Sequence, residues 1–375
     1  MNEIEFTASD AVREALDSIG RTEDIKFSPD NKRLVIAGIT KNRLLVVDVE
    51  IEVSSASAIV SLTDYIEITS ESLRKPHGIS FLDEKTIVVA NREGDVSILR
   101  LPASGTGERY FVLSPINEIR CASIHKVKTP SAVSARPIGD NLYEILVCNT
   151  YVHYVTRHII DGNDDFRIKR SKLLLKKGID VPDGVAVSYD SRWIAVANHG
   201  GNNVVLYENE PRLNENSEPT AILRAVMNPH GVGFSKDNKF ILVASACLPF
   251  VHIYTRYGNS WNGLLNSMCL IQVMDEDLFL REKKGPEEGG PKGIDFTNDM
   301  KLLVITCEEK PIAFFNLGNI LEGQIIDKDA HVLVRCISVA RVIYKILSWN
   351  VMNFRCRVVV FLNRCRRISS KHDIK

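Results

Sequence analysis

The sequence predicts an all-β fold, a propeller of about six four-stranded blades around a central channel. Three observations predict it. A Pro-x-Gly signature recurs along the chain, its copies lie 47 to 62 residues apart, and the apolar runs between them are separated by short polar turns.

The signature opens each unit. Five segments align: Pro76-His77-Gly78-Ile79-Ser80-Phe81, Pro130-Ser131-Ala132-Val133-Ser134, Pro182-Asp183-Gly184-Val185-Ala186-Val187, Pro229-His230-Gly231-Val232-Gly233-Phe234 and Pro291-Lys292-Gly293-Ile294-Asp295-Phe296. A sixth, Ile25-Lys26-Phe27-Ser28-Pro29-Asp30, keeps only the downstream half, in a register that puts Thr22 where the others have proline. The spacing is near that of propeller blades and far above that of leucine-rich or ankyrin repeats. A worn seventh unit remains compatible with it.

Each unit continues in the same way. A polar turn such as Ser28-Pro29-Asp30-Asn31 or Ser235-Lys236-Asp237-Asn238 follows the opening strand, because Pro, Asp and Asn preset φ or bond their own backbone. A continuous apolar run comes next, as in Leu34-Val35-Ile36-Ala37 and Trp193-Ile194-Ala195-Val196-Ala197; such runs suit strands buried on both faces. The third strand alternates, as in Asn203-Val204-Val205-Leu206-Tyr207, and Arg109 to Leu113 reads as a fourth, outer strand. A doubly wound α/β fold would need crossovers of a dozen or more residues between strands. The intervals here are too short, and radial repetition of antiparallel sheets satisfies them.

Three regions follow: 1–20, an N-terminal strand and helix; 21–320, the propeller; and 321–375, an atypical tail. Ser9 or Asp10 caps a helix whose stripe is Ala11, Val12, Ala15, Leu16 and Ile19, and Gly20 ends it. Asn2 to Ala8 reads as a strand completing the last blade and removing an open edge. Leu321 to Lys375 has no Pro-x-Gly opening and carries 11 Lys+Arg against 4 Asp+Glu. It reads first as a loosely packed segment, with a degenerate seventh blade, a basic amphipathic surface segment or sequence foreign to the repeat as alternatives.

Composition excludes several function classes. Lys+Arg and Asp+Glu are each 47, and with the basic tail set aside the body is mildly acidic, which gives no footprint for nucleic acid. There is no signal-peptide pattern and no uncharged run long enough to span a membrane. The 8 cysteines include no CxxC pair, which fits core thiols in a reducing, cytoplasmic setting. No GxSxG, Walker, HExxH or GxGxxG motif is present. The Gly-His and Trp-Asp pairs of WD40 repeats are also missing, so any WD40-like character is architectural.

Chemistry is expected at one rim of the channel. The middle residue of each signature is free to face the mouth: His77, Ser131, Asp183, His230 and Lys292. The ends of the second strands meet it with Asn91 and Arg92, Asn149, Asn198 and His199, Ser245, and Cys307, Glu308 and Glu309. His77, Asp183 and His230 are types that coordinate a divalent ion such as Ca, Mg, Mn or Zn. They are the candidates for metal binding or catalysis, and Asn91, Arg92, Ser131, Asn149, Asn198, His199, Lys292 and Glu308 for ligand contact. Each has a plainer reading. The imidazoles can bond carbonyls of the next blade, the asparagines can be turn residues, and Glu308-Glu309-Lys310 can be a solvated loop. The run Lys169-Arg170-Ser171-Lys172 reads as an exposed outer strand.

The Pro-His-Gly-(Ile/Val)-x-Phe units, with Ser-x-Asp-Asn-Lys, resemble those of YVTN and lactonase-like propellers. Pro182-Asp183-Gly184-Val185-Ala186-Val187 is similar to the Pro-Asn-Gly units of gluconolactonase (SMP-30-like) propellers. The resemblance covers roughly Arg21 to Leu317. It implies a propeller fold and, in the gluconolactonase group, a catalytic divalent metal held partly by the asparagine that Asp183 replaces. In the lactonase-like group it implies channel His, Glu and Arg residues, of which only His77 and His230 match by motif. The sequence thus supports two functions. One is a scaffold that binds a protein or small polar ligand at the rim; the other is a lactonase-like hydrolase acting on a sugar or other lactone.

Overall fold

The computed structural model describes residues 3–318 apart from 54–57, 125, 257, 276, 278, 281–284, 286 and 309. The chain divides into two compact units, Met1–Ile320 and Leu321–Lys375. The second unit, which contains the basic tail, lies outside the described residues.

Strand β1 (Phe6–Ala8) and helix α1 (Asp10–Ser18) come first, and six sheets follow. Blade 1 is β2 (Thr22–Phe27), β3 (Arg33–Gly38), β4 (Arg43–Val53) and β5 (Ala58–Thr69). Blade 2 is β6 (Pro76–Asp83), β7 (Thr86–Asn91), β8 (Val96–Arg100) and, after the short β9 (Tyr110–Val112), β10 (Asn117–Ile119). Blade 3 is β11 (Pro130–Gly139), β12 (Leu142–Asn149), β13 (Tyr154–Asp161) and β14 (Arg167–Leu175). Blade 4 is β15 (Pro182–Val187), β16 (Trp193–Asn198), β17 (Asn203–Glu208) and β18 (Ala221–Arg224). Blade 5 is β19 (Pro229–Phe234), β20 (Phe240–Ser245), β21 (Phe250–Thr255) and, after β22 (Gly263–Asn266), β23 (Cys269–Gln272). Blade 6 is β24 (Pro291–Phe296), β25 (Leu302–Cys307) and β26 (Ala313–Asn316).

The continuous apolar runs are explained by the stacking of blades. Leu34 and Ile36 of β3 join a core with Leu302, Val304 and Phe314 of blade 6. Val35 and Ala37, pointing the other way, join one with Ile87 and Val89 of blade 2. Successive side chains of a strand face opposite sides, so a sheet between two others needs apolar residues at every position. Each fully buried Val, Leu or Ile contributes roughly 1.5–3 kcal/mol. The polar turns repeat as well: the Ser28, Ser188, Ser235 and Thr297 hydroxyls donate to Asp30, Asp190, Asp237 and Asp299 at 2.6–2.7 Å. The residue after each Asp is left-handed, as at Asn31 and Asn238 (φ 59° each).

Helix α1 is capped by Ser9, whose side chain accepts from Val12 N. Its Val12, Ala15 and Leu16 enter the core shared by blades 6 and 1. The expected outer strand at Lys169 to Lys172 is part of β14, the last strand of blade 3.

Two expectations about edges are corrected. Strand β1 does not complete blade 6: Phe6–Ala8 pairs in parallel with Val60–Leu62 of β5 in blade 1. Contacts with blade 6 include a bridge from Ile4 to Phe314 and the Phe6 ring packed edge-on against Phe314 at 5.9 Å. The N-terminal segment therefore spans the junction between first and last blades. Likewise β9 leaves blade 2 and lies parallel to β5 of blade 1, while β10 takes the fourth place in blade 2. Strand β22 of blade 5 does the same to β18 of blade 4. Removing residues 1–8 is expected to cost about 2–4 kcal/mol and lower the thermal midpoint by several degrees; an unchanged midpoint would contradict the stapling role.

His252 gives the body an acid-sensitive point. It is 2% exposed, and neither ring nitrogen has a hydrogen-bond partner. Burial lowers its pKa from 6.5 to about 3. A depressed histidine pKa means that only the neutral ring is tolerated in the fold. Its contribution is intact above about pH 6.5 and erodes as pH falls toward 3, by on the order of 4 kcal/mol. His252→Leu should therefore flatten the acid limb of a stability-against-pH curve measured by urea unfolding. A variant as acid-sensitive as the wild type would count against this.

Candidate functional site: the channel centre

The Pro-x-Gly signature is not a turn ahead of the first strand but the strand's own bulged start. Pro76, Pro130, Pro182, Pro229 and Pro291 pair with Asn91, Asn149, Asn198, Ser245 and Cys307. The register then breaks; in four of these blades it resumes three residues on, and in blade 4 at Gly184. Such a bulge re-aims a side chain, here the middle residue, toward the axis. The turn itself falls on the residue before proline, left-handed at Lys75, Thr129, Val181 and Asn228 (φ 43–53°).

Glycine follows because the inner strands nearly touch. A Cβ on Gly184 would lie 1.9 Å from the His230 carbonyl oxygen, and one on Gly231 would lie 2.5 Å from that of Lys292. Blade 1 keeps the register without the motif: Thr22 pairs with Gly38, Glu23 takes the middle place, and Asp24 replaces glycine. The Asp24 carboxylate accepts from Ile79 N at 2.9 Å, joining blades 1 and 2.

The middle residues meet on the axis. Glu23, His77, Ser131, Asp183, His230 and Lys292 are all at most 6% exposed. The His77 and His230 rings, from blades 2 and 5 on opposite sides of the ring, stack at 5.0 Å. Both Nε2 atoms lie 3.5 Å from Glu23 Oε2. On the other side, His77 Nε2 is 4.0 Å and His230 Nε2 3.7 Å from the Asp183 carboxylate. Acids in blades 1 and 4 thus face each other across histidines from blades 2 and 5.

Cations hold the acids. Lys292 Nζ donates to both Glu23 oxygens at 3.1–3.2 Å, and Arg21 Nε to Glu23 Oε1 at 2.7 Å. Arg92 donates to Asp183 Oδ1 at 2.6 Å. Burial alone would raise both carboxyl pKa values. Lys292, with the two histidines, overrides it at Glu23, and Arg92, with His77 and His230, overrides it at Asp183; both stay well below the usual range. Burial, reinforced by Arg92, lowers His77 to about 3. His77 Nδ1 is 2.9 Å from the Ser131 carbonyl oxygen, which can only accept, so Nδ1 carries the hydrogen and Nε2 keeps its lone pair.

The other predicted residues divide into two groups. Asn91, Asn149 and Asn198 are buried and spend their amides on the backbone. Their Oδ1 atoms accept from Arg74 N, Lys128 N and Asp180 N, and their Nδ2 groups donate to the Asp95, Val147 and Gly178 carbonyls. Ser131 and Ser245 donate to the Pro182 and Met227 carbonyls, and Cys307 is a buried free thiol. Arg92, His199 and Glu308 line the mouth, with side chains 22%, 16% and 7% exposed. Arg21 bridges Glu23, Glu288 and Glu308 there. Glu309 lies outside the described residues.

The centre fits a divalent cation in donor type and spacing. Glu23, His77 and His230 offer ligand atoms within 4.8 Å of one another. Donors about 2.0–2.1 Å from a tetrahedral ion lie about 3.3–3.4 Å apart, close to the 3.5 Å separations seen here. His230 Nε2 is buried without a partner, and the His77 tautomer, set by a backbone carbonyl, is that of a metal-ligating histidine. Glu23, Asp183, Glu288 and Glu308 outnumber Arg21, Arg92 and Lys292, leaving the region negative when all are ionised.

Sequence reasoning missed Glu23. Its signal was the register that places Thr22 at the proline position, which makes the next residue the sixth middle residue.

No family model matches this chain, and no curated protein matches it. Solved structures do. A luciferin-regenerating enzyme aligns with TM-score 0.52 and 12% identity over 80% of this chain and 92% of that one. A functionally unknown protein from Desulfotomaculum acetoxidans aligns with TM-score 0.50 and 14% identity over 79% and 82%. A protein assigned by structural genomics as a gluconolactonase aligns with TM-score 0.50 and 12% identity over 80% and 90%. At these identities the likeness is one of fold: this chain is a six-bladed propeller similar in architecture to lactonase-like proteins.

Proposed function

We propose that the channel centre binds a divalent cation and that the protein uses it to bind and hydrolyse a small lactone or related ester. The carrying observation is that His77 Nε2 and His230 Nε2 both lie 3.5 Å from Glu23 Oε2, with Asp183 beyond. The gluconolactonase-like neighbour supports the reaction class by analogy of fold only.

Glu23, His77 and His230 would hold the ion, with Asp183 closing the set, and a bound ion would supply polarisation of a carbonyl oxygen and acidification of water. Lys292 and Arg21 fix the Glu23 carboxylate, and the Ser131 carbonyl fixes the His77 ring. Glu23 and Asp183 are held ionised too firmly to take up a proton near neutrality, so they act as ligands rather than bases. His199, whose pKa burial lowers, is neutral at pH 7 and stands at the mouth as proton acceptor. Arg92 presents a cation to negative charge developing on the ligand. A cleft of about 630 Å³, lined in part by Ser72, Arg74, Glu118 and Thr129, adjoins Arg92.

Calorimetric titration with Ca, Mg, Mn and Zn, followed by hydrolysis of a lactone panel with and without chelator, tests the proposal. Binding of one ion near one equivalent and chelator-sensitive hydrolysis are expected. Protein that binds none of these ions and is inert on the panel sinks it. The second reading, a scaffold recognising a protein at the rim, draws on Tyr151 and Met227, which are 63% and 40% exposed on mouth-side loops.

A further inference from the structure

Four buried polar atoms at the channel mouth lack a hydrogen-bond partner. Arg92 Nε, His199 Nδ1, His230 Nε2 and Glu308 Oε2 are buried without a hydrogen-bond partner. Buried polar groups are nearly always satisfied, so four such atoms sharing one mouth leave bonding capacity for a polar ligand. They are also arranged by chemistry. Glu308 follows β25 of blade 6, its side chain 7% exposed, and only its Oε1 is engaged, by Arg21 at 3.3 Å. Arg92 follows β7 of blade 2 but reaches Asp183 of blade 4 and lies over the Tyr151 ring of blade 3 at 6.0 Å. Blades 3 and 6 are opposite in a ring of six. Glu308 and Arg92 thus reach the mouth from different blades, with His230 nearer the axis.

We infer that the mouth reads a bifunctional ligand, a small hydroxycarboxylate, with its hydroxyl on Glu308 and its carboxylate on Arg92. This rests on the channel-mouth site proposed above and names its ligand class by the two ends it recognises. A hydroxyl suits Glu308 because it can either donate or accept. A carboxylate suits Arg92 because the guanidinium, already bound to Asp183 through one terminal nitrogen, still has an N–H unspent. An apolar chain end placed at Glu308 would leave that oxygen buried and unpaired. Sites built to bond a hydroxyl reject analogues lacking it far more strongly than apolar pockets reject size differences. Glu308 is thus a specificity-determining residue, separate from the groups that hold the ion.

The test uses chelator-treated, full-length protein, so that it does not depend on the metal. Dissociation constants are measured for ω-hydroxycarboxylates from glycolate to 6-hydroxyhexanoate and for the unsubstituted carboxylates of the same lengths. At one chain length the hydroxy acid should bind at least about ten-fold tighter than its parent. Glu308→Leu should abolish that advantage, while Glu308→Gln, which loses the same charge but keeps an acceptor, retains part of it. No advantage at any length in the wild type, or one that survives in Glu308→Leu, overturns the inference; should that variant fail to fold, the wild-type series and Glu308→Gln decide it. Metal titration of the same preparation reports on the ion site independently. Loss of one result without the other shows which claim has failed.

Discussion

Gly184→Ala should cost the propeller more than about 4 kcal/mol, the largest effect expected of any single methyl group here. The added Cβ would stand 1.9 Å from the His230 carbonyl oxygen and 3.1 Å from Ala197 Cβ. The first obstacle is backbone, which cannot rotate away as a side chain would. The inner strands of blades 4 and 5 would have to part, and Asp183 and His230 sit on those strands. The same variant should therefore lose divalent-ion binding. Gly139→Ala is the control, since nothing lies within 4 Å of its Cβ position, and it should fall within about 0.5 kcal/mol of wild type. Urea midpoints decide; near-wild-type stability for Gly184→Ala would mean that the blades do not approach as closely as described.

Glu23→Gln is expected to weaken divalent-ion binding by at least about 100-fold, because a neutral amide replaces the ionised donor that both histidines face. It should also destabilise the protein by about 2–4 kcal/mol at neutral pH, by leaving Lys292 buried beside a neutral group. The pH dependence separates this from a packing defect. The Glu23 pKa is lowered in the fold, well below 4.5. Its stabilisation is therefore full above about pH 4.5 and is lost as pH falls below it. The destabilisation by Glu23→Gln should shrink on acidification; a deficit that stays constant from pH 7 to pH 3 would point to packing alone.

The fold was legible because several demands leave separate traces. Proline marks the strand start and glycine the close approach of the next blade. Val35 and Ile36 mark the two faces of a sheet between sheets. The parallel placement of β9 on blade 1 and β22 on blade 4 was not legible, since Tyr110-Phe111-Val112 reads as a strand but carries no record of its partner. At the site, proline, followed in four units by glycine, located five of the six middle residues. The sixth was hidden because Thr22 bonds the Cys307 carbonyl in place of a proline and Asp24 fills the glycine position with a carboxylate. Without Glu23 the middle residues look chemically mixed; with it, two acids and two histidines oppose one another. Asn91, Asn149 and Asn198 show the converse: they sit where a ligand contact was expected and spend their amides on the backbone.

The most direct test is a cobalt(II) titration followed by visible absorption, because the ligand-field bands of that ion report directly on the groups that hold it. The wild-type protein should develop these bands up to one equivalent, with intensity typical of mixed nitrogen and oxygen ligation, and zinc should erase them. His77→Ala combined with His230→Ala should show only the spectrum of the hydrated ion. Bands that persist in this double variant, or never appear in the wild type, would contradict a metal centre at the channel axis.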